Sequence, residues 1–264
     1  MSSKSAILIV GFLAIVGFSG GIYMVDKYVS TTRQDRAATD AAALLMQKKD
    51  VSVTIIEGKR REEIALLLDK AGICPATEFL RASTGKERML FPDTYRFFPH
   101  TPASDVVATL VQNYRDKTSD LEPSINDLIL ASIVEREAFN NDQRPVIAGV
   151  YSNRIKLGMR LEADPTVQYG RDSNLLGGDG TKNASGVLTG FSFWSPITQD
   201  DYHGVTSLYN TYTNDGLPPT PIDNPGRASI VAAVSPSKHN YLYFINKGGK
   251  LLLSKTLAEH QSKQ

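Results

Sequence analysis

The stretch Leu128-Ile-Leu-Ala-Ser-Ile-Val-Glu-Arg-Glu-Ala-Phe139 decides the fold. Placed on a helix at about 100° per residue it is apolar on nearly every face, the pattern of a helix at the centre of a domain. Two carboxylates interrupt it. Glu135 falls between Leu128 and Ala131, beside Ala138 and Phe139, and Glu137 falls between Leu130 and Ile133. A carboxyl on such a helix is costly unless it is paired or put to use. Desolvation raises its pKa, so it can act as a general acid near neutral pH and as a base once its proton has gone. The competing outcome is an internal ion pair with Arg136, Arg144, Arg154 or Arg160. Wheel geometry does not choose between the two glutamates.

Outward from this helix the pattern stays helical. Ser124 and Asp127 start it, and upstream Val106, Val107, Leu110, Val111 and Tyr114 keep a 3.6-residue period from Pro102 onward. Downstream, a helix has Pro145 in its first turn, an apolar face from Val146 to Ile155 and Gly158 just past its end. Ala163-Asp164-Pro165-Thr166 then predicts an abrupt helix start, with Asp164 as N-cap and Pro165 first in the helix. Residues 170–204 hold seven glycines and no sustained period, which reads as long loops. The Leu217-Pro-Pro-Thr-Pro221 run must be extended. Ala228 to Val234 reads as helix. Tyr241–Asn246 and Leu251–Ser254 flank Lys247-Gly-Gly-Lys250 as a hairpin, and a short last helix follows.

Toward the N-terminus, Val51–Ile56 is β-prone, Glu62–Ala71 has helical spacing closed by Gly72, Thr77–Ala82 is a second short helix, and Leu90–Phe98 reads as strand and turn. Its aromatics Phe91, Tyr95, Phe97 and Phe98 suit a core. The expected class is α+β: a small strand-helix-helix-strand unit over residues 51–100 and a mainly helical domain over 101–264 that carries a C-terminal β-hairpin.

Residues 6–25, AILIVGFLAIVGFSGGIYMV, hold no charge and no proline, and their number is about that needed to cross a hydrocarbon core. Lys4 before them favours a cytoplasmic N-terminus. The expectation is a cytoplasmic stub (1–5), an uncleaved single-pass transmembrane helix (6–25), a helical stalk (26–50) and an extracytoplasmic body on the cell membrane. A cleaved signal peptide, cut near Ser19-Gly20-Gly21, is the competing reading.

Composition narrows the chemistry. Lys and Arg number 29 against 28 Asp and Glu, a net charge of +1, without the basic excess of a nucleic-acid binder. The single Cys74 forms no intrachain disulfide and no cysteine zinc cluster. His100, His203, His239 and His260 have no metal-ligand spacing. No GxSxG elbow or phosphate-binding GxxxxGK[ST] occurs, and Gly177-Gly-Asp-Gly180 lacks the lysine and helix such a loop needs. No metal and no cofactor is expected.

Three motifs follow one another: Leu130-Ala-Ser-Ile-Val-Glu-Arg-Glu-Ala138, Arg144-Pro-Val-Ile-Ala-Gly-Val-Tyr-Ser-Asn-Arg154 and Gly158-Met-Arg-Leu-Glu-Ala-Asp-Pro-Thr-Val-Gln-Tyr169. Further short ones stand at Tyr209-Asn-Thr-Tyr212, Gly216-Leu-Pro-Pro219, Ile222, Asn224-Pro-Gly226 and Tyr241-Leu-Tyr-Phe244. Through them the chain resembles the membrane-anchored endolytic murein transglycosylases of bacteria, the YceG-like family. Val53-Thr-Ile-Ile-Glu-Gly58 and Leu90-Phe-Pro-Asp-Thr-Tyr95 resemble the family's LysM-like, peptidoglycan-binding unit. Glu162 stands where many members have Gln.

The resemblance implies that Glu135 is the catalytic acid/base and Glu137 a supporting carboxylate. It implies cleavage of the β-1,4 bond between N-acetylmuramic acid and N-acetylglucosamine without water, leaving 1,6-anhydro ends. One carboxyl suffices because the attacking 6-hydroxyl is tethered to the substrate, whereas hydrolases generally need two. Candidate wall and support residues are Asn153, Arg154, Glu162, Asp164, Thr166, Tyr209, Asn210, Thr211 and Tyr212. The implied partners are peptidoglycan glycan strands, the inner membrane and cell-wall synthases, with a role in limiting nascent strand length. The other readings are a catalytically silent peptidoglycan-binding or scaffolding protein, and a hydrolase using both Glu135 and Glu137, which a helix would point to opposite sides.

Overall fold

The computed structural model describes residues 49–177, 188 and 190–264, and the expected membrane helix at 6–25 and nearly all of the stalk lie outside them. Among the described residues no helix is long and apolar enough to cross a membrane. Asp50–Gln264 forms one compact unit of mixed, mainly helical structure with two small sheets.

Strand β1 (Val51–Thr54) pairs antiparallel with β2 (Thr94–Phe97), with Val53 opposite Tyr95. Alternation sends Val53, Tyr95 and Phe97 inward. Helices α1 (Arg61–Lys70) and α2 (Ala76–Ala82) lie between the strands in sequence. Glu63 caps α1 by accepting the Arg60 N–H at 3.0 Å. Gly72, at φ +69°, takes the left-handed turn that ends it. Ile64, Ala65, Leu68, Phe79 and Leu80 fill the space beneath.

Helix α3 (Ala103–Thr118) joins this unit to the rest, giving Val106, Val107, Leu110 and Val111 to the first core and Tyr114 to the second. The second core surrounds α4 (Ile125–Glu137). Ser124 caps α4 reciprocally with Asp127, and every residue from Leu128 to Val134 is buried, as the apolar run predicts. Helices α5 (Gln143–Lys156) and α8 (Arg227–Val234) pack on α4 and on each other. Ser132 of α4 accepts the Ile222 N–H at 3.0 Å, which ties the extended proline segment to the central helix.

Two expectations need correction. Helix α6 runs from Asp164 to Leu175, so the chain stays helical into the stretch read as loop, and a short helix α7 (Asp201–Gly204) lies further along. The N-cap of α6 is Ala163, with Asp164 first in the helix and Pro165 second. The Asp164 carboxylate instead accepts the Tyr212 hydroxyl at 2.7 Å, a contact from 48 residues away.

The C-terminal hairpin pairs β3 (Tyr243–Lys247) with β4 (Lys250–Ser254). Its two-residue turn is Gly248-Gly249, both at positive φ, as a type I′ turn requires. Helix α9 (Leu257–Gln261), capped by Thr256, closes the chain.

Candidate active site

The two glutamates leave the end of α4 into different surroundings. Glu135 accepts the Arg144 guanidinium at 2.6 Å on one oxygen and the Gly226 N–H at 2.9 Å on the other. Arg144, on α5, is held in turn by Ser229 and Asn141 at 2.8 Å each. Glu135 therefore forms one of the ion pairs that the sequence leaves open, and its side chain is 5% exposed. Two glycines keep backbone rather than side chains against it. A Cβ on Gly58 would stand 3.5 Å from Glu135 Cγ, and one on Gly226 would stand 3.4 Å from Glu135 Oε2 and 2.5 Å from Cγ of the exposed Glu57.

The segment carrying Gly226 is fixed to the first unit through Asn224. The Asn224 side chain accepts the Leu90 N–H at 2.9 Å and donates to the Lys59 carbonyl at 3.0 Å and to Glu87 at 2.9 Å. Loop 57–59, the end of α4 and the start of α8 thus meet at Glu135. Beside it, Arg136 lies over the Trp194 ring at 4.1 Å, and the Trp194 indole N–H donates to Glu63 at 2.9 Å.

Glu137 faces a cavity of about 350 Å³ lined by Tyr151, Arg154, Glu162, Asp164, Tyr212 and His260 among others. It accepts the Tyr151 hydroxyl at 3.0 Å. Burial pushes its carboxyl up to about 7, against the lowering effect of the Tyr151 hydrogen bond. The raised carboxyl expected of this helix is therefore Glu137. Burial likewise pushes the Tyr212 hydroxyl up, with Asp164 adding to the shift.

A second cavity, of about 370 Å³, lies between the first unit and the helical body, with Arg61, Glu62, Glu87 and Arg88 on one side and Tyr169, Tyr209 and Thr220 on the other. The fully buried Arg60 guanidinium stacks on Tyr169 at 4.2 Å and donates to Glu62 at 3.1 Å and Ser173 at 3.0 Å. The Tyr169 and Tyr209 rings meet at 4.6 Å.

The expected site residues divide among these places. Arg154, Glu162, Asp164 and Tyr212 line the Glu137 cavity, and Tyr209 lines the second one. Asn210, Thr211 and Thr166 are buried and offer no wall to a ligand. Asn210 donates to the Tyr202 and Val205 carbonyls, and the Thr211 hydroxyl takes the Ala163 N–H and pairs with Thr166 at 2.8 Å. They build the turn that presents Tyr209 and Tyr212. Asn153 reaches the carbonyls of His239 and Tyr241, not a glutamate. Arg154 donates to the Arg160, Leu161 and Leu242 carbonyls and to Glu162 at 3.1 Å. Of the expected aromatic cluster, Phe91, Tyr95 and Phe97 are core and Phe98 is exposed. No cluster of three or more metal-ligating side chains occurs among the described residues.

Sequence reasoning missed Trp194, which packs on Arg136 beside Glu135. Trp194 lay in the glycine-rich stretch, where being the chain's only tryptophan was its one signal.

A Bacillus subtilis (strain 168) protein named endolytic murein transglycosylase is 35% identical over 184 residues, covering 66% of this chain and 46% of its own length. A protein of the same name from Streptococcus pneumoniae serotype 2 (strain D39 / NCTC 7466) is 29% identical over 168 residues, covering 60% of this chain and 28% of its own. The chain thus spans less than half the length of either relative. A 2.6 Å crystal structure of a YceG-like protein from Listeria monocytogenes superposes with a TM-score of 0.64 at 29% identity, over 86% of this chain and 81% of that one. The profile of the YceG-like family matches residues 23–264, and the chain belongs to that family.

Proposed function

We propose that the chain is a peptidoglycan lytic transglycosylase in which Glu135 is the acid and base. The observation that carries this reading is the fixed carboxylate of Glu135, held by Arg144 and the Gly226 N–H at the meeting point of three segments, with glycine backbone on two sides. Such a carboxyl is oriented before substrate arrives, which is what a proton-transfer group requires. In its protonated form Glu135 gives its proton to the glycosidic oxygen as the bond to C1 of the muramic acid breaks. The 6-hydroxyl of the same sugar bonds to C1, and its proton returns to Glu135. The attacking group belongs to the substrate, so no second carboxyl has to activate a water. Glu137, two residues on, faces a cavity that Glu135 does not line and is badly placed to flank the same bond, which speaks against the two-carboxylate hydrolase.

A second reading has its own support: Glu137, held near 7 by burial and facing a cavity with tyrosine walls, is the acid. Glu135→Gln and Glu137→Gln separate the two. The first reading expects the Glu135 variant to lose cleavage of intact peptidoglycan and the Glu137 variant to retain most of it.

In this proposal residues 6–25 anchor the body outside the cytoplasmic membrane, residues 51–100 act as a LysM-like glycan-binding unit, and the enzyme limits the length of nascent strands near cell-wall synthases. Two features support an extended glycan as substrate: the tyrosine-walled cavity between the two units and the acidic, polar cavity beyond Glu137.

A further inference from the structure

The cavity of about 370 Å³ between the first unit and the helical body has a cation to spare. Of the charged side chains along it, Glu62 is answered by the buried Arg60 at 3.1 Å. Glu87 accepts the Arg61 N–H and the Asn224 side-chain amide at 2.9 Å each. Burial also pushes the Glu87 carboxyl up to about 8, which leaves it mostly uncharged at neutral pH. The Arg61 guanidinium is held by the Leu80 carbonyl at 3.0 Å. Arg88 lines the same cavity and makes no hydrogen bond or ion pair among the described residues.

An unpaired arginine on an open surface is ordinary, but Arg88 is partly buried and its backbone stands at φ +84°. That is the left-handed region, which glycine enters freely and a residue with a side chain enters at a cost. Glycine would suit the turn better, so what arginine brings to the position is its guanidinium. On the other side of the cavity Tyr209 is fixed, its hydroxyl paired with Thr220 at 2.7 Å and its ring against Tyr169 at 4.6 Å. A free guanidinium and a fixed aromatic ring in a cavity of small-ligand size suit a molecule that combines a carboxylate with a sugar ring.

We propose that this cavity binds a carboxylate carried on the side group of a muramic acid residue, with Arg88 as its cation and Tyr209 as the support for the sugar ring. The inference rests on the reading of the chain as a peptidoglycan-cleaving enzyme, and it makes Arg88 a specificity residue for strands that keep a free carboxylate. The carboxylate has two sources, the lactyl group itself and the end of a stem peptide, and the same guanidinium chemistry serves either. The cavity is joined to Glu135 through one segment: Asn224 holds Glu87, and Gly226, two residues on, donates to Glu135.

Calorimetric titration of the full chain tests this with three disaccharide probes, N-acetylglucosamine linked to N-acetylmuramic acid, which contain no bond the enzyme would cut. One carries its stem peptide, one has lost the peptide so that the lactyl carboxylate is free, and one carries a peptide whose carboxyls are converted to amides. The wild type should bind the better of the first two at least about tenfold more tightly than the amidated probe, and which of them is better identifies the source of the carboxylate. Arg88→Gly should bind all three as weakly as the amidated one, with Tm unchanged or higher, since glycine relieves the backbone at φ +84°. Arg88→Lys keeps the charge without the planar fork and should recover part of the affinity. Equal binding of amidated and free-carboxylate probes by the wild type, or an undiminished preference in Arg88→Gly, overturns the inference and leaves the assignment of the reaction untouched. A carboxylate preference that Arg88→Gly abolishes, in a chain that leaves no anhydro ends on intact peptidoglycan, supports the binding site and overturns the assignment of the reaction instead.

Discussion

Glu135 and Glu137 stand two residues apart on α4, yet the first takes an arginine at 2.6 Å and the second a tyrosine hydroxyl at 3.0 Å, on different sides of the helix. The separation follows from helix geometry, since a step of two residues turns about 200°. It gives one helix end a carboxyl fixed by charge and backbone, and another whose ionisation is opposed by burial.

The raised carboxyls make stability fall as pH rises. Glu137 sits at about 7 and Glu87 at about 8, against an ordinary value of 4.5 for both, chiefly through burial. In the unfolded chain both ionise near 4.5, while the folded chain keeps its protons longer. Stability is therefore fully present below about pH 4.5 and is lost as pH rises through 7 to 8, by about 1.4 kcal/mol for each pH unit that separates the folded carboxyl from the unfolded one. Thermal melts from pH 4 to pH 9 should show Tm falling across this window, with a shallower fall in Glu137→Gln. An equally steep fall in that variant would remove Glu137 from the account.

Gly149 lies in α5 where the chain before the hairpin crosses it. A Cβ there would overlap the Ser237 carbonyl oxygen and stand 2.6 Å from His239 Nε2. Gly149→Ala should destabilise the fold by about 1–3 kcal/mol, since backbone cannot yield as a flexible side chain does. The expected loss in Tm is about 2–4 °C per kcal/mol for a chain of this size. An unchanged melt would mean the crossing is looser than these distances imply.

Gly226→Ala tests the close approach of backbone to Glu135. At φ −73° the backbone tolerates alanine, so the effect is steric: the new methyl pushes on Glu57 and crowds Glu135. Glu57 is exposed and can move, so a stability change below about 1 kcal/mol is expected, together with a clear loss of cleavage rate. Loss of rate and fold in parallel would assign the glycine to packing alone.

Arg60 fastens the first unit to the helical body, fully buried between Glu62, Ser173 and the Tyr169 ring. Arg60→Met leaves Glu62, itself buried, without its cation and should cost about 3–5 kcal/mol. Denaturant unfolding measures it, and a cost under about 1 kcal/mol would contradict the fastening role.

The sequence made the helical framework readable because its signals are local. Ser124 with Asp127, Gly72 and Gly158 mark helix ends within a few residues, and the apolar run of α4 declares its burial. What escaped was set by distant contacts. Gly170 reads as a loop signal, yet it sits inside α6, where glycine is needed because a Cβ would press on Ser207 at 2.8 Å. Asp164 reads as a cap until Tyr212 claims its carboxylate. Asn210 and Thr211 have the composition of a sugar wall and lie in the interior, because the turn they build needs their hydrogen bonds. Even the raised pKa was legible only as a property of the helix: that Glu137 carries it follows from burial among residues distant in sequence, Tyr151 and Asp164 among them.

The most direct test of the central claim is the mass of the new glycan ends after intact peptidoglycan is digested with the full chain or with Glu135→Gln. The account predicts 1,6-anhydro ends, each one water lighter than a hydrolysed end, from the wild type. It predicts at least a 100-fold drop in their number from the folded variant, the loss of one proton-transfer group being worth about 10²–10⁴ in rate. Reducing, hydrolysed ends from the wild type, or undiminished anhydro ends from Glu135→Gln, would contradict it.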